Sequence, residues 1–182
     1  MSGRGGMIMK AAVAVAMREM IRAEFGDDVW RKIAARCGMN ADRILLPISD
    51  VDEGLWQQLR KAAEIETGLS SEQMGLKFGE TWVNVFTPRV YGAYYIGHKS
   101  ARELLLDLDR IHLTVTKNIE GATPPRLHYE WEDERTLVLH YSSQRNMIDY
   151  LIGGIHALGR KYGESIEVQK IDESRVRVKF EH

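Results

Sequence analysis

The sequence predicts an α+β fold: a helical N-terminal half packed on a C-terminal antiparallel sheet that carries one long helix. Three observations carry that expectation. From Lys10 to Ile119 apolar residues recur at helical spacing between glycine and proline stops. From Arg126 the spacing becomes an alternation, as in Leu127-His-Tyr-Glu-Trp131 and Leu137-Val-Leu-His-Tyr141. Ser165–Ile171 and Arg175–Phe180 then read as a hairpin about Asp172-Glu-Ser174.

Residues 1–9, rich in glycine, are read as a disordered leader, and residues 10–182 as one domain. A first helix runs from Lys10 to Phe25 and stops at Gly26; a second runs from Asp27 to Cys37 and stops at Gly38. Asn40–Ser49, with Pro47, is a loop. Helical patterns follow over Val51–Thr67, closed by Gly68, and over Ser71–Phe86, closed by Pro88. Arg89–Gly97 reads as a loop with at most one short helix. Ser100 and Glu103 form an S-x-x-E capping box that opens the next helix, which Gly121 and Pro124 end. Thr136–Tyr141 completes the first strand pair, and the long helix spans Asn146–Tyr162.

Composition narrows the class. A 182-residue chain with 44% hydrophobic residues can bury a core and a pocket. Net charge −1 and a pI near 6.6 give no basic patch for nucleic acid. The one cysteine, Cys37, excludes an internal disulfide, fits a reducing, cytoplasmic setting, and is read as a packing residue. Ala11–Met17 superficially resembles a signal peptide, but it is short and continues into an amphipathic helix. No run approaches the 18 or so apolar residues of a membrane span.

Two places carry chemistry. On the helix from Ser100, residues Leu104, Leu105, Leu108, Ile111, His112, Val115 and Ile119 fall within an arc of about 120°. His112 therefore stands in an apolar row that offers its ring nitrogens no partner. A satisfied core histidine is the commoner case; a metal, best one inside a large apolar cofactor, is the other. Downstream, Tyr141, Ser143 and Arg145 sit at i, i+2 and i+4. On an extended strand they share one face and offer a phenol, a hydroxyl and a guanidinium fork to an anion. A solvated strand end is the bland alternative.

Taken together, the chain resembles the haem-nitric oxide/oxygen-binding (H-NOX) family of sensor domains, related to the haem domain of soluble guanylate cyclase. Leu108-Asp-Arg-Ile-His112 is similar to the family's proximal-histidine helix, Gly121-Ala-Thr-Pro-Pro-Arg126 to the turn after it, and Tyr141-Ser-Ser-Gln-Arg145 to its Y-x-S-x-R signature. Ala23-Glu-Phe-Gly-Asp-Asp-Val-Trp30 looks like the opening helix pair. The resemblance implies haem b (iron protoporphyrin IX) between the helical half and the sheet. It makes His112 the proximal iron ligand, gives the propionates to Tyr141, Ser143 and Arg145, and sets Pro125 against the macrocycle. It further implies a sensor, not an enzyme, that binds NO, CO and O2. Such a sensor signals by conformational change to a histidine kinase, a cyclic-di-GMP enzyme or a chemoreceptor, fused or separate.

The gas pocket implied by the resemblance comprises Tyr150, Met147, Gly154, Met17 and Trp82. Tyr150 matches the distal tyrosine of oxygen-binding members, and Gly154, one turn on, leaves room beside it. Those members support the tyrosine with a tryptophan and an asparagine; Met17 and Trp82 stand there instead, and methionine cannot donate a hydrogen bond. Two other classes compete with the sensor. One is a haem-free α+β interaction module. The other is a hydrolase using Ser142 or Ser143 with His128, His140 or His156, for which no G-x-S-x-G elbow exists.

Overall fold

Gly26, at φ +90°, divides the opening amphipathic run into α1 (Ala12–Phe25) and α2 (Asp27–Arg36); that backbone conformation strains any residue with a side chain. The structure is a computed structural model that describes residues 8–119, 122–143 and 145–181. Its elements fall into two units, Met1–Ser71 with Glu120–Ala122, and Glu72–Ile119 with Thr123–His182.

In the first unit α1 buries Met17, Met20 and Ile21 completely. Trp30 of α2 is buried, and its indole N–H donates to Ala41 O at 3.0 Å. Residues 1–7 of the expected leader lie outside the described residues. Ile8 and Met9, the rest of it, instead form strand β1 (Ile8–Lys10), paired antiparallel with β2 (Asp50–Asp52). Strands of three residues are too short for alternation to register in a sequence. The helix expected from Val51 begins later, as α3 (Glu53–Thr67), because Asp52 caps it by accepting from Gly54 N at 2.8 Å.

In the second unit β3 (Arg126–Trp131), β4 (Thr136–Ser142), β5 (Ile166–Asp172) and β6 (Arg175–Phe180) form an antiparallel sheet in the order β3-β4-β6-β5. Leu127 faces Tyr141, and Leu137 faces Val178. This register gathers Leu127, Leu137, Leu139, Tyr141, Val176 and Val178 into one cluster with Leu105 of α6 (Ala101–Thr116) and Ile148, Ile152 and Ile155 of α7 (Ile148–Tyr162). Each such side chain contributes about 1.5–3 kcal/mol by leaving water. A second cluster joins Leu104 and Ile111 of α6 to Ala157 and Leu158 of α7 and to Val83. The mixed helical and antiparallel-sheet class expected from the sequence is the one observed.

The segment closed in expectation by Pro88 behaves differently. α4 (Ser71–Thr81) passes into a π turn over Trp82–Phe86 and then into α5 (Thr87–Val90), so the chain stays helical through the proline. Pro88 has no N–H for the i→i−4 ladder, and the ladder shifts register ahead of it. The Trp82 carbonyl accepts the Thr87 N–H, and the Thr87 hydroxyl as well at 2.8 Å. A single 3-10 turn, Gly92–Tyr94, follows. α6 ends at Thr116, and the stop expected at Gly121 lies outside the described residues. Among the described residues no helix is long and apolar enough to cross a membrane.

Candidate functional site

The helix that carries His112 is capped as its sequence implies: Ser100 Oγ accepts from Glu103 N at 3.0 Å, and the Glu103 carboxylate accepts from Lys99 N at 2.7 Å. Its apolar face is unevenly covered. Leu104, Leu105 and Ile111 are buried, whereas Leu108, His112 and Val115 are only partly so. Nδ1 of His112 is fully buried and has no hydrogen-bond partner among the described residues. Burial pushes its pKa down to about 4, against an opposing pull from the Asp109 carboxylate. The ring is therefore neutral at ordinary pH, the form a metal requires.

The strand alternation expected to align Tyr141, Ser143 and Arg145 stops short. β4 ends at Ser142, and the chain turns through Asn146 at φ +47°. A local hydrogen bond replaces the pleat: Ser143 Oγ accepts from Arg145 N at 3.1 Å. The three side chains still converge, because the buried Tyr141 phenol is hydrogen-bonded to Ser143 and feels the Arg145 charge. Burial raises that phenol above its usual pKa. Arg145 also acts electrostatically on His112, adding to the effect of burial in lowering its pKa.

Between them runs the double-proline turn. Pro125 is half-buried. Arg145 Nη1 donates to Thr123 O at 3.2 Å on one side of it. On the other side Asp109 accepts both arms of Arg126 at 3.0 Å and the Leu127 N–H at 2.8 Å. Asp109 and Arg126 were legible only as parts of quoted motifs; a carboxylate three residues before His112 was the available signal.

Tyr150, buried on α7, meets the Phe78 ring edge-on at 5.1 Å. Phe78 in turn stacks on Trp82 at 5.6 Å, and Trp82 on Phe86 at 5.0 Å. Trp82 thus joins Tyr150 through an intervening phenylalanine that the sequence reading did not single out. A Cβ added at Gly154, one turn on from Tyr150, would meet nothing within 4 Å. Met147 packs at the start of α7 on the cluster that contains Tyr141 and Ile148. Met17 lies buried in α1, in the other unit.

Two members of the hydrolase reading, Ser143 and His140, are engaged elsewhere. Ser143 is engaged by Tyr141 and Arg145, while His140 Nε2 pairs with Glu130 at 3.1 Å and lies across the strands from His128. No cluster of three or more His, Cys, Asp or Glu side chains among the described residues could hold a metal ion. A metal at His112 therefore needs its other ligands from a prosthetic group, and the Tyr141-Ser143-Arg145 cradle suits the carboxylates of one.

Fold and site together fit a protein built to carry an acidic, metal-containing prosthetic group on a single histidine. The family model for haem-NO-binding proteins matches residues 10–170, and the chain belongs to that family. An oxygen-binding H-NOX domain related to soluble guanylate cyclases, solved as its oxygen complex, is 26% identical over 96% of each chain with a TM-score of 0.82. A singly substituted H-NOX of T. Tengcongensis is 27% identical over 96% of this chain and 98% of that one, TM-score 0.81. A relative described for haem redox potential modulated through protein-induced porphyrin distortion is 25% identical over 96% of each chain, TM-score 0.79. No match was found among curated proteins. H-NOX domains are haem-based gas sensors rather than enzymes, and they signal to partners.

Proposed function

We propose that this chain binds haem b through His112 and senses NO, CO and O2. The observation that carries the reading is His112 Nδ1: buried, neutral and without a partner on an incompletely covered apolar face. A buried polar atom left so costs about 1–3 kcal/mol unless a bound group changes its surroundings. When bound, haem supplies an iron centre with a position open to a diatomic gas. Tyr141, Ser143 and Arg145 bind its propionates, and Pro125 bears on its face. Met147, Gly154 and Trp82 belong to the gas side with Tyr150. There the phenol favours the ligand that carries most negative charge when bound, O2, by about 1.5–3 kcal/mol. The oxygen complex formed by one relative supports O2 as a ligand.

The signalling partner is a histidine kinase, a cyclic-di-GMP enzyme or a chemoreceptor, in trans or fused, and the setting is cytoplasmic. A visible spectrum of purified protein is the first test. A strong Soret band that moves on addition of CO is expected. Colourless protein, fully stable and unchanged by added haemin, would leave an interaction module as the reading.

A further inference from the structure

The turn Thr123-Pro124-Pro125-Arg126 is fastened at both ends, and each fastener comes from the candidate haem site. Arg145 of the signature holds the Thr123 carbonyl at 3.2 Å. Asp109, on the helix of His112, holds the other end three ways: both arms of the Arg126 guanidinium at 3.0 Å and the Leu127 N–H at 2.8 Å. The Arg126 pairing is bidentate, the geometry that fixes direction as well as distance. Asp109 sits well below the usual carboxylate range, held there chiefly by Arg126, so the pair stays charged at ordinary pH. The two prolines between the anchors have fixed φ and no N–H, which removes the slack an ordinary turn would have.

We propose that Asp109 and Arg126 form a strap that sets the position of Pro125 against the haem, making Asp109 a positioning residue for the cofactor. This rests on the proposed haem site. Because Asp109 rides on α6 three residues before His112, movement of that helix moves the strap with it. Pro125 then shifts against the macrocycle as His112 shifts, and the two contacts act on the haem as one unit. In one relative, redox potential is modulated through protein-induced porphyrin distortion, so the potential is a fitting readout.

A charge effect and a strap effect predict opposite patterns. Removing the Asp109 carboxylate deletes a negative charge near the site, and removing Arg126 deletes a positive one. If charge alone acted, the two variants would shift the potential in opposite directions. The strap requires the same direction for both.

The experiment measures the midpoint potential of the haem-loaded full chain in Asp109→Ala, Arg126→Met and Arg126→Lys, each also in a Pro125→Ala background. All three variants are expected to shift the potential the same way. The expected size is about threefold in the reduction equilibrium constant, roughly 28 mV at 59 mV per tenfold. Arg126→Lys keeps the charge and loses the fork, and it guards against poor folding of the alanine variant. In Pro125→Ala no further shift is expected, because the strap then holds nothing. Opposite shifts, or unchanged potentials with only a lower Tm, overturn the strap. If His112→Gly retained an unaltered ferrous spectrum, the underlying haem site would fall, and the strap with it.

Discussion

Gly153 of α7 and Gly75 of α4 cross with their backbones in direct contact. A Cβ on Gly153 would collide with the Gly75 carbonyl, and one on Gly75 with the carbonyl of Asp149, next to Tyr150. Gly79 meets Gly153 in the same way, and Arg160 pairs with Glu80 along the same helix pair. The obstacle on each side is backbone, which cannot swing aside as a side chain does.

Gly153→Ala is therefore expected to cost about 3 kcal/mol, the upper end for overpacking. Gly154→Ala, where a Cβ meets nothing within 4 Å, should be neutral or slightly stabilising because alanine is the better helix former. Urea unfolding of the two variants checks this. Equal stabilities would show that the crossing relaxes freely.

His112→Gly is expected to abolish normal haem loading, with added imidazole restoring it by filling the vacated space. His112 is the histidine on α6's apolar face with a buried, unpartnered nitrogen. Haem content and the ferrous spectrum report the outcome. A fully loaded variant with a wild-type spectrum would assign the ligand elsewhere.

The same burial has a pH consequence for the haem-free chain. Burial brings His112 down to about 4 when folded, against 6.5 for a free imidazole. Between those values the unfolded chain binds the extra proton and the folded chain does not, so stability rises with pH there and falls as pH drops from 6.5 toward 4. His112→Gly should flatten that part of the acid unfolding profile. An identical slope in both proteins would mean that other groups dominate the window.

Arg145→Ala should speed haem transfer to an acceptor apoprotein by about fivefold or more, from loss of about 1–3 kcal/mol of charge-assisted bonding. The iron spectrum should stay that of wild type, since the role proposed for Arg145 is on the propionates alone. An unchanged transfer rate would remove it from the propionate cradle.

Tyr150→Phe should raise the O2 dissociation rate by about tenfold or more, equivalent to at least about 1.4 kcal/mol, while CO and NO binding change far less. The ring's edge contact with Phe78 survives the change, so stability should fall only slightly. Wild-type ferrous protein that forms no stable O2 complex in air would show that the phenol points elsewhere. Met17 and Trp82 would then be the substitutions to reverse first.

By itself the sequence determined what local chemistry determines. Helical and alternating periods marked α1, α6, α7 and the four sheet strands, because each buries one face. The capping pair Ser100 and Glu103 fixed where the His112 helix begins, and a histidine in an apolar row left a metal ligand open beside the commoner core residue. Tyr141, Ser143 and Arg145 were legible as a triad through their spacing. Tertiary structure decided how that triad converges: Arg145 arrives through the Ser143 turn because β4 ends at Ser142. It also decided that α4 continues through Pro88 by a π turn, and that three glycines let α4 and α7 touch. The Asp109 clamp on Arg126 and Leu127 spans 17 and 18 residues, which no local pattern encodes. A spacing rule sees neighbours along one element; partners brought together by folding leave no period in the chain.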